Sequence, residues 1–323
     1  MRISRVIGIA LLVLLGAVLL LFVLERTRGE APAADPYTFS GAPSIQLIVS
    51  PHPDDEMQAV NALLTDPDIY TVWMTVTRGE NTSTCNTDSR AWQRVEPQYR
   101  PDPAPTGKGT DSCGRARLTS WHTFIDRFGE VTDVPTDPLE TLRSVDVAGA
   151  FEARIGTSSA RLVFDGVNGQ LTRARVERFL DIAVAERGKS LPDLPIERVI
   201  VASYGNDDEQ LGAIYEHAEH MLVREVLTDR DMSAVNGTWI PQPPNGGDID
   251  AVREISPQQY DRLMGFTRSG KPVGAHQIAY RWLVFGGVRS NWAPSRDAVH
   301  HRSRAYIWPR RQHFRVVHVA DDS

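Results

Sequence analysis

Short apolar segments alternate with amphipathic helical segments along much of the chain, and this alternation restricts the possible folds more than any other feature. Four short apolar segments have the composition of strands. They are residues 45–50, 69–76, 161–164 and 198–204. Four other segments place apolar residues on one helix face. They are residues 56–64, 115–128, 172–187 and 215–227. This order predicts an α/β fold, with a mostly parallel sheet and helices on both faces.

The rest of the 323-residue chain is less regular. Residues 25–42 lack periodicity and are typical of a linker, whereas the polar, proline-containing residues 78–114 are typical of a long loop. Beyond residue 232, one helix and several strands are predicted to form a C-terminal cap of mixed structure. The helix is residues 257–265, and the strands are residues 279–285, 305–308 and 314–319. The chain is predicted to divide into four parts. They are a cytoplasmic stub with a membrane anchor (residues 1–24), the linker (25–42), an α/β domain (43–235) and a C-terminal extension packed on that domain (236–323).

The N-terminal residues predict a membrane anchor. Val6 to Leu24 is an unbroken apolar run, and a helix of this length, rising about 1.5 Å per residue, just spans the hydrocarbon core of a bilayer. Arg2 and Arg5 precede the run, so the positive-inside rule predicts a single-pass cell-membrane protein with residues 25–323 outside the cytoplasm. The alternative is a cleaved signal peptide, whose apolar stretch is usually about 7–15 residues long, and a secreted protein.

Charge and cysteine content narrow the set of partners. The chain has 35 Lys and Arg against 41 Asp and Glu, a formal net charge of −6, which is not the basic balance of a nucleic-acid-binding protein. We expect neither a nucleic-acid partner nor a nucleotide cofactor. The two cysteines, Cys85 and Cys113, cannot build a four-cysteine zinc site, but outside the cytoplasm they are expected to form a disulfide.

A first group of chemically active side chains directly follows the first predicted strand, in the sequence Pro-His-Pro-Asp-Asp-Glu at residues 51–56. Ligands of open α/β sheets bind at the carboxyl ends of the strands. Acidic residues at the start of a helix can simply cap it, but capping does not explain His52 between two prolines. Histidine and aspartate are both metal ligands. The segment therefore predicts a metal site that draws on His52, Asp54 or Asp55.

A second group, Tyr215 to His220, opens the helix that follows another central strand. His217 and His220 are three residues apart and share one helix face. Alone, they are typical of surface histidines. Combined with the first group, they would supply His, Asp and His to one point, and three protein ligands with a position open for water is the arrangement of catalytic zinc. Two histidines and one carboxylate also bind Fe²⁺ in the facial triad of iron oxygenases, so iron stays possible.

The two groups together resemble the PIG-L/LmbE-type zinc deacetylases, which remove the acetyl group from N-acetylglucosaminyl compounds on a Rossmann-like fold. The resemblance covers residues 44–230, and it implies one zinc ion per chain. By position, the resemblance implies that His52, Asp55 and His220 bind the zinc ion. It implies that Asp54 is the general base, and that His217, assisted by Tyr215, stabilises the oxyanion.

Two turns extend the resemblance. Residues 75–80 (TVTRGE) resemble the family's Gly-Glu turn, and residues 165–171 (DGVNGQL) resemble its Pro-Asp-Gly turn. The implied substrate-binding residues are Arg78, Glu80, Asp165 and Asn168. The chain departs from the family pattern at two places. Ala218-Glu219 replaces Pro-Asp between the two later histidines, and Asn168 stands where the turn usually has Asp.

The expected function is therefore that of a zinc-dependent N-deacetylase, an amidohydrolase acting on linear amides. Its substrate would be an aminosugar in a glycolipid, glycan or glycoside, attacked by zinc-activated water with Asp54 as the base. Two alternatives remain open. One is an amidase of another N-acyl substrate, such as a thiol conjugate, on the same zinc site. The other is a non-catalytic extracytoplasmic protein that binds sugar.

Overall fold

The computed structural model describes residues 43–65, 69–201, 217–230, 235–242, 250–264, 267, 269, 271–283 and 311–317. The strands of this part of the chain are β1 (Ile45–Ser50), β2 (Tyr70–Thr77), β3 (Arg143–Ser144), β4 (Glu152–Ile155), β5 (Ser159–Gly166), β6 (Ile196–Val201), β7 (Val235–Gln242), β8 (Ala251–Glu254) and β9 (Arg311–Val317). The α-helices are α1 (Val60–Thr65), α2 (Arg90–Gln93), α3 (Asp111–Thr132), α4 (Arg173–Ala185), α5 (Ala218–Asp229), α6 (Pro257–Met264) and α7 (Ala275–Tyr280). Single 3₁₀ turns are Asp55–Ala59, Pro97–Tyr99 and Arg281–Leu283.

The strands form one sheet, whose order within the described residues is β3-β4-β5-β2-β1-β6-β7-β9-β8. The central strands from β5 to β7 pair in parallel, and the pairs at both edges are antiparallel. The predicted α/β class with a mostly parallel sheet is thus confirmed. β1 is apolar almost throughout and completely buried, as expected for a strand whose two faces are both covered.

Alternate side chains of β1 show what covers each face. Leu47 and Val49 pack in one apolar cluster with residues of α4 and α5. Ile48 points to the opposite face, where it joins a second cluster with residues of α1 and α3. Because neighbouring side chains of a strand point to opposite faces, helices lie on both sides of the sheet.

The C-terminal segment differs from its prediction. Residues 279–285 were expected to form a strand, but α7 and the following 3₁₀ turn make this segment helical as far as Leu283. Ala275, Ala279 and Leu283, spaced four residues apart, are buried in the cluster that contains α3. A short apolar run does not by itself distinguish a buried strand from a buried helix. Residues 305–308 lie outside the described residues.

The strands of this segment extend the central sheet instead of forming a separate cap. β9 contains the predicted strand residues 314–317, and it pairs with β7 and β8. β7 crosses the predicted boundary at residue 235 and contains Pro241. Its parallel pairing with β6 ends at Trp239, so the missing N–H of Pro241 does not interrupt that ladder.

None of the helices that the structure describes is long and apolar enough to cross a bilayer. The predicted anchor, residues 6–24, and the linker, residues 25–42, lie outside the described residues. Cys85 and Cys113 are joined by a disulfide, with Cα atoms 5.6 Å apart. This bond ties the long polar segment after β2 to the first turn of α3.

Candidate metal centre

The two histidine-containing segments meet at one edge of the sheet, at the carboxyl ends of β1 and β6. Residues 51–55 leave β1, and His217 and His220 stand at the start of α5, the next described helix after β6. β1 has β2 on one side and β6 on the other, so the chain connections diverge at this point. In open α/β sheets such a switch point forms the crevice that binds ligands.

Asp55 lies from the two other predicted ligands, His52 and His220, at distances close to the spacing that zinc requires. Asp55 Oδ2 is 3.1 Å from His52 Nδ1 and 3.3 Å from His220 Nε2. Ligand atoms at about 2.0–2.2 Å from a tetrahedral zinc ion are about 3.3–3.5 Å apart. Asp55 is fully buried, and its other oxygen, Oδ1, has no hydrogen-bond partner among the described residues. Burying a carboxylate oxygen without a hydrogen-bond partner costs free energy unless the oxygen faces a cation. The donor set therefore fits a zinc ion.

His217 offers a further ligand atom to the same point. The nitrogen atoms that His52, His217 and His220 can offer all lie within 4.8 Å of one another, and the His217 ring centroid is 4.7 Å from that of His52. The distances from Asp55 Oδ2 to His52 Nδ1 and His220 Nε2, 3.1 and 3.3 Å, are shorter than this 4.8 Å limit. We therefore keep Asp55 in the predicted ligand set and treat the three histidines as the alternative set.

Glu219 and Asn168 hold His52 from the side opposite Asp55. Glu219 Oε2 lies 2.7 Å from His52 Nε2, and Glu219 Oε1 accepts a hydrogen bond from the Gly169 backbone N–H at 2.7 Å. Asn168 Nδ2 lies 2.8 Å from His52 Nε2 and also contacts Glu219. A metal-binding histidine normally donates its other ring N–H to such a carboxylate. The longer side chain at position 219 thus reaches the ligand it would orient, which the sequence alone did not reveal.

Burial and neighbouring charges give the histidines and the aspartate of this cluster different pKa values. Burial alone would lower the pKa of His52, but hydrogen bonds to Asp55 and Glu219 outweigh burial and raise this pKa to about 9. Burial lowers the pKa of His220 to about 3 and also lowers the pKa of His217. Burial would raise the pKa of Asp55, yet its histidine neighbours and Arg117 hold this pKa below its usual range. The metal-free site therefore holds a proton on His52 at neutral pH, beside an ionised Asp55.

Zinc affinity is expected to rise with pH, because His52 must lose this proton before Nδ1 can bind a metal ion. Below a pKa of about 9, each pH unit changes the apparent affinity by about tenfold, so the zinc Kd should fall about 100-fold from pH 6 to pH 8. Competition with a chelator of known pH dependence measures this change. A zinc Kd that stays constant over this range would remove His52 from the ligand set.

Asp54, the predicted base, adopts a backbone conformation that few residues other than glycine adopt. Its φ angle is 112°, and such strain is typical of functional sites. Its Oδ1 accepts a hydrogen bond from the Arg117 guanidinium at 2.7 Å. Burial raises the pKa of Asp54 to about 7, against the opposing effect of Arg117. A carboxylate that titrates near neutral pH is well matched to proton transfer.

Arg117 was not predicted, because it lies on α3, far from Asp54 in the sequence. Its guanidinium also donates to the Pro53 carbonyl at 2.5 Å. Gly79 makes room for it: Gly79 has a φ angle of 64°, and a Cβ atom there would lie 2.6 Å from Arg117 Nε. The Gly-Glu turn after β2 therefore serves packing against this arginine, a role that its sequence does not indicate.

The predicted substrate-binding residues are only partly brought to the site. Glu80 Oε1 accepts from the backbone N–H of Asn168, which contacts His52. Arg78 forms an ion pair with Asp111 at 2.5 Å. Asp165 is exposed, and no described residue of the site hydrogen-bonds its side chain. Tyr215, the predicted partner of His217, lies outside the described residues.

Comparisons with known proteins add no assignment. The chain matches no protein-family model, and no curated protein matches it. The resemblance to the PIG-L/LmbE-type deacetylases thus rests on the quoted motifs.

Proposed function

We propose that this protein is a zinc-dependent hydrolase that removes the N-acetyl group from an aminosugar in a glycolipid, glycan or glycoside. The observation that carries the proposal is the spacing of His52, Asp55 and His220, with the carboxylate of Asp54 as their immediate neighbour. We further propose that the fold is Rossmann-like, of the PIG-L/LmbE type. The order β5-β2-β1-β6-β7 of its parallel strands and the site between β1 and β6 support this assignment.

In this proposal, His52, Asp55 and His220 hold one zinc ion per chain. When bound, zinc would lower the pKa of water toward about 7 and polarise the amide carbonyl. Asp54 takes the proton of the attacking water and returns it to the leaving amine, so that the amide C–N bond breaks and acetate and a free amine result. Arg117 keeps the Asp54 carboxylate in place through the ion pair. His217 donates a hydrogen bond to the oxyanion that develops on the carbonyl oxygen.

The location of the substrate follows from the N-terminal sequence. We propose that residues 6–24 anchor the chain in the cell membrane, with the α/β domain outside the cytoplasm. An enzyme held at the membrane surface is suited to an aminosugar of an envelope lipid or glycan. Asp165 and Val167, in the turn that carries Asn168, are exposed to solvent.

Acetate release tests the proposal. The full chain, loaded with zinc, is incubated with N-acetylglucosaminyl lipids and glycosides, and acetate and free amine are measured, with an Asp54→Asn preparation as the control for contaminating enzymes. Release of equal amounts of both by the native chain alone supports the proposal. Failure to take up zinc after reconstitution would overturn it. Zinc uptake without acetate release from these substrates, together with release of amine from a substrate with a different N-acyl group, would indicate an amidase of that other group.

A further inference from the structure

The C-terminal part of the chain forms hydrogen bonds to residues 57–61, which follow the proposed metal-binding loop, residues 52–55. Gln312 on β9 donates to the Met57 carbonyl at 3.3 Å and accepts from the Asn61 backbone N–H at 3.2 Å. The Asn61 side chain donates in turn to the Arg253 carbonyl of β8 at 3.2 Å. These contacts join residues separated by about 200 positions or more in the sequence, and they fix the 3₁₀ turn and α1 against β8 and β9.

The contact nearest to the metal centre is made by Tyr280 of α7. Its hydroxyl donates to Glu56 Oε1 at 2.5 Å, and Glu56 Oε2 accepts the backbone N–H of Asp54 at 2.8 Å. Glu56 is fully buried, and Tyr280 is 2% exposed. The Tyr280 ring is fixed by neighbours of its own, Phe124 and His276. A chain of two hydrogen bonds therefore leads from α7 to the backbone of the proposed base.

This backbone needs such support. The φ angle of 112° at Asp54 is strained for a residue other than glycine and persists only where surrounding contacts enforce it. The Arg117 contacts act on the Asp54 side chain and on the Pro53 carbonyl. Glu56 acts on the Asp54 backbone N–H itself. His52 lies two residues before Asp54, and Asp55 directly follows it. The same backbone geometry therefore orients two of the proposed metal ligands.

We propose that Glu56 and Tyr280 are positioning residues, through which the C-terminal segment holds residues 52–55 in the metal-binding conformation. This inference deepens the proposed function and rests on it for its consequence in catalysis. It also assigns a structural role to the segment after residue 235, which lies outside the family resemblance. Without the Tyr280 hydroxyl, Glu56 loses its fixed orientation and the loop relaxes around Asp54.

The test compares Tyr280→Phe with Tyr70→Phe in the full chain. The Tyr70 hydroxyl is also buried and donates to the Gly156 and Ser159 carbonyls, at the amino end of β2, away from the loop. In metal-free protein, hydrogen exchange of the peptide covering residues 52–57 should become about tenfold faster in Tyr280→Phe and stay unchanged in Tyr70→Phe. The zinc Kd should rise about 10–100-fold in Tyr280→Phe only, the usual effect of losing a partner behind the metal ligands.

Equal exchange of residues 52–57 in the two variants would overturn the inference. Glu56→Met, which nearly keeps the side-chain volume but cannot accept from the Asp54 N–H or from the Tyr280 hydroxyl, is a second variant. It should show the same faster exchange and weaker zinc binding, and it keeps the inference testable if Tyr280→Phe does not fold. With a substrate in hand, kcat should fall while KM stays within about twofold. Absence of zinc binding by the native chain would overturn the proposed function, while the exchange measured without metal would still decide the role of Tyr280.

Discussion

Replacing Asp54 by asparagine is expected to lower kcat by about 10²–10⁴-fold, the usual contribution of a general base, and to leave zinc content at about one ion per chain. Asparagine has nearly the same shape and can still accept a hydrogen bond from Arg117, which now pairs with the carboxylate at 2.7 Å. It cannot take up a proton from water. Steady-state kinetics and metal analysis on the same preparation measure both effects.

Asp146→Asn is the matched control, since this aspartate is exposed and outside the site. Its kcat and zinc content should equal those of the native chain. Near-normal turnover of Asp54→Asn would show that another group is the base. Loss of zinc from Asp54→Asn would instead place this carboxylate among the ligands.

Replacing His220 by alanine is expected to abolish zinc retention. Zinc sites gain about 10–16 kcal/mol from three or four ligands together, so each ligand supplies about 3–4 kcal/mol, and its loss weakens binding by several hundred-fold. His220 is 1% exposed, so solvent does not easily replace its Nε2. Zinc content after dialysis should fall from about one ion per chain to less than a tenth. Full occupancy in this variant would remove His220 from the ligand set.

The companion variants His217→Ala and Asp55→Ala decide between the two ligand sets. If Asp55 is the third ligand, Asp55→Ala should lose zinc as His220→Ala does. His217→Ala should then keep zinc and lose about 10²–10³-fold in kcat, the usual cost of removing one oxyanion donor. The reverse result, with zinc lost from His217→Ala and kept by Asp55→Ala, would establish the three-histidine site.

Features that depend on near neighbours in the chain could be predicted from the sequence. The period of apolar residues located β1, β2, β6, α3 and α4, because strand and helix faces are set by spacings of a few residues. His52, Asp54 and Asp55 could be selected since they lie together at the end of a strand. Once the sheet was predicted to be parallel, the carboxyl ends of β1 and β6 had to share one edge, which brought His220 into the same candidate site.

Only the tertiary structure decided what surrounds these residues. Arg117 reaches Asp54 from α3, and Tyr280 reaches Glu56 from α7, across 63 and 224 positions. No local sequence pattern predicts such pairs, because the residues around a buried arginine or tyrosine do not indicate which distant side chain it contacts. The same limit explains why residues 279–285 were predicted as a strand: this apolar run fits either structure, and burial in the cluster that contains α3 selects the helical form as far as Leu283. Glu219 is the example at the centre of the site: its longer carboxylate reaches His52 only because the loop after β1 and the start of α5 meet.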